Sequence, residues 1–461
     1  MAVTSRLSGR IAARAHHSPG ASIFQKMAPF FAIGQVSGGP LLIASILALV
    51  LVNSPWGPGY ERVWDTPLRV SYGTHTFGMP LAQWINDALM PLFFLIIGTE
   101  VKREFVKGSL SSLRTAAFPM IGAVGGLVVP IALFLAFNHG TATQHGWGIV
   151  AAMDTAFSLA IVGMFTTRLP GALRAVLLAF AAIDDVFGLL VIAFAYTASI
   201  APWYLAMAGA AFAGLVLLLR INWVAPIPYV LLGLVVWIGI LGSGVHPTIA
   251  GVAIGLLLPT SARLSEHRFA EAVQGPVDEV KQAQAAARAT DDPHAADEHH
   301  LETQKGLGYI HEMAAATDEA AARLIRVLTP WVSYIVLPLF ALSNLRIHFS
   351  AELIGEAVRS PLALGVVAAL VVGKPLGFLG ATWAATRLRI ATLPHGVTWP
   401  MVLGIGGVAG IGFTISLFIA ELAFSEKAQT EQAALGIFVA SVVSALFGYA
   451  MFWLAARKAT T

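Results

Sequence analysis

Two adjacent carboxylates, Asp184 and Asp185, stand in the apolar run Ala181-Ala182-Ile183-Asp184-Asp185-Val186-Phe187-Gly188-Leu189-Leu190. The run extends from about 171 to 197. At about 1.5 Å per residue that is long enough to cross a bilayer with some tilt, which places both acids near mid-membrane. A carboxylate there costs on the order of 2.5 to 3.5 kcal/mol, so it normally faces a cavity and has a task. Neighbouring helical residues lie about 100° apart, so both acids can border one cavity. Two like charges in a low dielectric call for compensation, by a proton or by a cation. The pair is therefore a site where protons and cations could compete.

Two more ionisable residues fall inside apolar segments: Asp154, in Ala151-Ala152-Met153-Asp154-Thr155, and Lys374, in Gly373-Lys374-Pro375. A structural ion pair accounts for Lys374 with one Asp, but one lysine cannot neutralise three carboxylates. The stretch 404–412 carries five glycines in nine residues. It can serve as a small-residue packing surface, yet so dense a run reads as an unwound span with two half-helix ends. Such ends carry opposite partial charges, which Asp154 and Lys374 are available to balance. Thr155, Thr414 and Ser416 are candidate supporting groups at helix breaks. Glu100 and Glu104, with Asp87 in the same segment, and His246 are candidates for a pH-responsive surface at the cytoplasmic mouth, with an interfacial salt-bridge cluster as the alternative. Glu421 lies near the outer end of its segment.

The elements that must position these residues follow from composition. Mean hydropathy is +0.75, with 57% hydrophobic and 11% charged residues, against about 25% charged in soluble domains. An all-α polytopic membrane protein is expected. The absence of cysteine excludes disulfides and thiol chemistry. Twelve apolar segments are predicted as transmembrane helices: 36–52, 81–101, 115–137, 146–165, 171–197, 203–220, 226–241, 245–259, 327–345, 360–385, 398–424 and 431–455. Most Lys and Arg then fall on the side of the N-terminus, and Arg62, Arg69, Arg346, Arg359 and Lys427 on the other. This bias places both termini in the cytoplasm, and it explains the basic excess without a nucleic-acid partner.

The chain thus divides into a basic N-terminal tail (1–35) without a cleaved signal, helices 1–8 (36–259), a polar cytoplasmic linker (260–326), helices 9–12 (327–456) and a short C-terminal tail (457–461). The linker composition predicts disorder or loose helix. Residues 53–80, rich in Gly, Pro and aromatics, predict an external β-hairpin suited to oligomer contact.

The stretches Phe93 to Glu104, the Asp154 segment, Ala182 to Asp185, Ser243 to His246, Pro330 to Phe340, Gly373 to Gly377 and Gly410 to Ser416 together resemble the NhaA sodium/proton antiporters. The resemblance implies twelve helices, the third to fifth related to the tenth to twelfth by an inverted repeat, with the fourth and eleventh interrupted and crossing. It implies that Asp185 is the main Na⁺ or Li⁺ ligand and Asp184 its partner, pairing with Lys374 when the ion is absent. Asp154 would compensate positive half-helix ends and Lys374 negative ones. It further implies electrogenic export of one Na⁺ or Li⁺ for two protons, serving sodium and pH homeostasis. The setting would be a homodimer in the lipid bilayer of a bacterial inner membrane, with no enzymatic activity and no cofactor beyond the transported ions.

The chain departs from the family pattern at Met153, where a Thr is usual, and at Ile325, Arg326 and Thr329, where Glu and His are usual. Two rivals stand beside this reading. An intramembrane aspartyl protease also needs two mid-membrane acids, but no Gly-x-Gly-Asp precedes Asp154 or Asp184. A sodium-coupled symporter of an organic anion also uses crossed broken helices, but does not call for a lysine beside an Asp pair.

Overall fold

The computed structural model describes residues 38–458, apart from 74, 166, 198, 199, 222, 224, 263, 265, 290 and 291. The basic N-terminal tail lies outside the described residues. Helix α1 (Gly38–Val52) leads through a 116° bend into α2 (Gly57–Asp65). Strands β1 (Pro67–Tyr72) and β2 (His75–Pro80) pair antiparallel, with Pro67 opposite Pro80 and Tyr72 opposite His75. There follow α3 (Leu81–Lys107), α4 (Leu113–Asn138), a 3₁₀ turn (Gln144–Val150), α5 (Thr155–Gly163), α6 (Gly171–Ala195), α7 (Pro202–Arg220), α8 (Pro226–Ser243) and α9 (Thr248–Leu257). After α10 (Glu266–Ala272), α11 (Gln274–Ala289) and α12 (Pro293–Thr317) come α13 (Ala320–Asn344), α14 (Ala351–Ala357) and α15 (Pro361–Arg387). The chain ends with α16 (Trp399–Ala409), α17 (Phe413–Ala423) and α18 (Lys427–Lys458).

Each of the twelve predicted apolar segments falls on helix. Among the described residues nine helical segments, with Gln144–Gly163 taken as one, are long and apolar enough to cross a membrane; two bent pairs, α1 with α2 at 116° and α16 with α17 at 41°, bring the number to as many as eleven, and α9 is a shorter apolar helix. The protein is an all-α polytopic membrane protein. The segment predicted over 146–165 is not one helix: residues 152–154 leave the helical path between the 3₁₀ turn and α5, with Asp154 extended.

Three helices with an interrupted middle member therefore occur twice, as α4 to α6 and as α15 to α18. The two sets meet back to back where α4 packs on α15. A Cβ on Gly125 would sit 2.2 Å from the Gly377 carbonyl oxygen, and one on Gly377 would sit 2.1 Å from that of Gly125. Only glycine permits this approach, and its reciprocity is what an approximate two-fold relation between the sets produces. A similar closeness seats α9 on α3, since a Cβ on Gly251 would lie 2.0 Å from the Pro91 carbonyl oxygen.

The polar stretch between the two halves, expected as disorder or loose helix, is helical over most of its length. Helices α11 and α12 fold back on each other, burying Val280 and Ala283, with Gly306 of α12 against Val280. Two pairs then anchor the start of α13: Glu319 with Lys107 and Asp318 with Arg326. At the β-hairpin end, Arg346 binds Asp65 at 2.7 Å and Lys427 binds Glu61 at 3.2 Å.

Candidate ion site

Asp184 and Asp185 lie in mid-α6, and both are buried. Facing them on α15 is Lys374, fully buried, directly after a π-helical stretch at Ala369–Gly373. A π turn holds one residue more than an α turn, so it rotates every later side chain about the axis. Lys374 Nζ donates to Asp184 Oδ1 at 2.7 Å and to the Ala151 carbonyl at 2.9 Å. That carbonyl closes the 3₁₀ turn before the break, so the ammonium meets both a carboxylate and the negative end of a half-helix. The ion pair inferred for Lys374 is with Asp184.

Asp154 serves the two half-helices that begin beyond the breaks. Its Oδ1 accepts from the Ala156 and Phe157 N–H groups at 3.1 and 3.3 Å, at the start of α5. Its Oδ2 accepts from the Thr414 hydroxyl at 2.6 Å and the Thr414 N–H at 3.2 Å, at the start of α17. One carboxylate thus meets two positive helix ends, as the N-cap of α5 and, across the break, as the acceptor for Thr414 in the first turn of α17. The two breaks are also joined directly, since the Asp154 N–H donates to the Ile411 carbonyl at 2.6 Å. Removing only the hydroxyl, in Thr414→Val, withdraws a charge-assisted hydrogen bond. It should cost roughly 1.5–3 kcal/mol, read as a lower thermal midpoint of the purified protein that Thr414→Ser restores.

Asp185 has no such partners. Asp185 Oδ1, Asp184 Oδ2 and the Thr155 hydroxyl are all buried without a hydrogen-bond partner among the described residues. Buried oxygens of this kind are costly unless something else satisfies them. Beyond its burial, Asp185 feels the negative charges of Asp184, Glu100 and Asp154, opposed by Lys374 alone. Oxygen donors with surplus negative charge suit a small hard cation, or a proton in its place.

A profile of the Na⁺/H⁺ antiporter 1 family matches residues 28–452 of this chain. The chain belongs to that family. It is 38% identical over 440 residues to "Na(+)/H(+) antiporter NhaA 2" of Sorangium cellulosum, covering 95% of this chain and 91% of the relative. It is 39% identical over 446 residues to "Na(+)/H(+) antiporter NhaA" of Oleidesulfovibrio alaskensis, covering 94% and 96%. A third relative, "Na(+)/H(+) antiporter NhaA 3" of Frankia alni, is 40% identical over 410 residues, or 88% and 84%. These relatives are named as transporters, not enzymes.

The remaining predicted residues of this antiporter-family chain scatter. Ser416 lies at the crossing, where its hydroxyl donates to the Ile149 carbonyl at 2.7 Å. Glu100 is exposed on α3, and a negative charge there acts on Asp185. Glu104 accepts from the Ser109 N–H at 2.7 Å and so holds the turn after α3. Glu421 is exposed.

His246 does not join Glu100 and Glu104. It lies between α8 and α9, its Nε2 3.7 Å from Asp87 Oδ1, its Nδ1 2.9 Å from the Thr248 hydroxyl and its ring against Phe418. Asp87 and Glu104 are about five turns apart on α3, or roughly 25 Å. The grouping drawn from ionisable types alone thus splits between the two ends of one helix. At the entry to α13, Arg326 pairs with Asp318, so the departure from the family pattern there is a locally satisfied cation. Met153 is fully buried, and no polar side chain precedes Asp154 at the break.

Sequence reasoning missed Ser158, whose hydroxyl lies 2.9 Å from the Val408 carbonyl, and Ser441, which accepts from the Phe413 N–H at 3.3 Å. Serine in an apolar span is too common a residue to have signalled either one.

Proposed function

We propose that this chain exports Na⁺ or Li⁺ in exchange for protons, one cation for two protons, across a bacterial inner membrane, and so serves sodium and pH homeostasis. The observation that carries the reading is the surplus at the crossing: three buried carboxylates stand with one buried lysine, and one oxygen each of Asp184 and Asp185 has no partner among the described residues. The antiporter relatives add support.

In the cycle, Na⁺ enters from the cytoplasmic side past Glu100 and binds Asp185. To engage both carboxylates it must also draw Asp184 from Lys374 Nζ, which now lies at 2.7 Å. One proton leaves Asp185 and one leaves the Asp184–Lys374 pair. With two protons moving in for each Na⁺ moving out, one net charge crosses per turnover, which makes the exchange electrogenic. A site with uncompensated charge crosses a low-dielectric barrier poorly, so the site changes sides with Na⁺ or with protons but not empty. Asp154 stays with the helix ends, as its four accepted bonds require. Both termini are cytoplasmic, the linker lies on the same side, and two copies associate through the β1–β2 hairpin.

The test is Na⁺-induced change of lumenal pH in everted vesicles from an antiporter-deficient bacterium. Addition of Na⁺ or Li⁺, but not K⁺, is expected to dissipate a preformed proton gradient. Clamping the membrane potential is expected to change the rate, as a net charge movement requires. Absence of a response at any pH would overturn the reading, and dependence on an added organic anion would favour symport.

A further inference from the structure

We propose that Ser158 and Ser416 are reciprocal positioning residues that lock the two broken spans across their crossing, with Ser158 the one able to let go. The proposal rests on reading the crossing as the place of ion exchange. Both side chains are fully buried. Each lies one turn beyond the break in its own span, and each donates to a carbonyl in the last turn before the break in the other. Ser158 Oγ reaches the Val408 oxygen of α16 at 2.9 Å, and Ser416 Oγ reaches the Ile149 oxygen of the 3₁₀ turn at 2.7 Å. Intrahelical donors run out at such ends, and the Val408 carbonyl, which also accepts from the Ile411 N–H at 3.1 Å, takes the Ser158 hydroxyl as a second donor.

The two locks differ in one respect. Ser158 Oγ also lies 2.9 Å from its own Asp154 carbonyl, so its single proton is shared between an acceptor within α5 and one across the crossing. It can drop the bond to Val408 and remain hydrogen-bonded, the local pattern serine commonly adopts in a helix. Among the described residues the Ser416 hydroxyl has Ile149 as its acceptor and no second one. The Ser416 hydroxyl also needs the space at Gly412, where a Cβ would come within 2.1 Å of Ser416 Oγ. Both locks bear on the site through short stretches of backbone. Ile149 is two residues from the Ala151 carbonyl that holds Lys374, and Ser158 is one turn from Asp154. Loosening either one shifts an atom that frames the carboxylate pair.

The test compares Ser158→Ala, Ser416→Ala, the double variant and the Thr variants, in purified full-length protein and in everted vesicles. Hydrogen–deuterium exchange is expected to rise about fivefold, the worth of one neutral hydrogen bond, at the amides of 151–158 and of 408–416 in each Ala variant, including the span that carries no substitution. The Thr variants, which keep the hydroxyl, should exchange as the parent does. In vesicles the half-maximal Na⁺ concentration should rise about fivefold by the same measure, with the maximal rate of Ser158→Ala retained. The double variant should fall short of the product of the singles, because both secure one crossing. Faster exchange confined to the substituted span would overturn the proposal. So would loss of folded protein and maximal rate with an unchanged half-maximal Na⁺ concentration. If the parent protein itself moves no Na⁺, the proposed function fails while the exchange measurement still decides the lock.

Discussion

Vesicles carrying Asp185→Asn should show no Na⁺-dependent loss of a proton gradient at any pH, while the protein accumulates and purifies as the parent does. Asparagine keeps the size of the side chain and removes its charge and its exchangeable acid proton together. Truncating one member of a buried charge pair typically weakens binding by about 2–5 kcal/mol, or roughly 30- to 4,000-fold in affinity. That range takes Na⁺ occupancy to background. Folding should survive, because Asp185 Oδ1 makes no hydrogen bond among the described residues and its charge is repelled by Asp184, Glu100 and Asp154. The same change at Asp184 reads less cleanly, since it also strips Lys374 of its carboxylate. Sodium-dependent flux retained in Asp185→Asn would remove Asp185 as the ligand. Calorimetric titration of Na⁺ into the purified variant would show whether binding or only transport is lost.

What could be read in the sequence was what the bilayer makes conspicuous. Asp154, Asp184, Asp185 and Lys374 stand out because charge is rare in apolar segments, and the structure brings Lys374 onto Asp184 and Asp154 into the crossing. The break between α16 and α17 was legible as a run of glycines. The break before α5 had no such mark: Ala151-Ala152-Met153 are good helix formers, and the backbone leaves the helical path there because Asp154 gains more from capping α5 and accepting from Thr414 than from a continuous helix. That gain depends on Thr414, which lies far along the chain. The α11–α12 hairpin was hidden for a related reason, since a buried face as narrow as Val280 and Ala283 is lost in an Ala-rich, charged composition. His246 shows the limit of grouping by residue type, because its distance from Glu104 is set by the parallel packing of α9 on α3.

Lys374→Ala is expected to lower stability by about 3–5 kcal/mol, the usual consequence of leaving one member of a buried ion pair behind. Two contacts go at once. Asp184 Oδ1 loses its 2.7 Å donor, and the Ala151 carbonyl at the end of the 3₁₀ turn loses its 2.9 Å donor. The first loss is charge and the second is hydrogen bonding, and a second substitution separates them. In Asp184→Asn/Lys374→Met neither charge remains, so the electrostatic part of the deficit should disappear, while the Ala151 carbonyl stays without the ammonium. The double variant should therefore recover most, not all, of the thermal midpoint, followed by tryptophan fluorescence in detergent. Neither variant should exchange Na⁺ for protons at the parent rate, because the proposed cycle takes one of its two protons from this pair. A Lys374→Ala protein as stable as the parent would mean that the pair contributes nothing to the fold. Full activity in the double variant would mean that Asp185 and some other group carry both protons. Asp154 and Glu100, the other acids whose charge reaches Asp185, would then be the positions to substitute next.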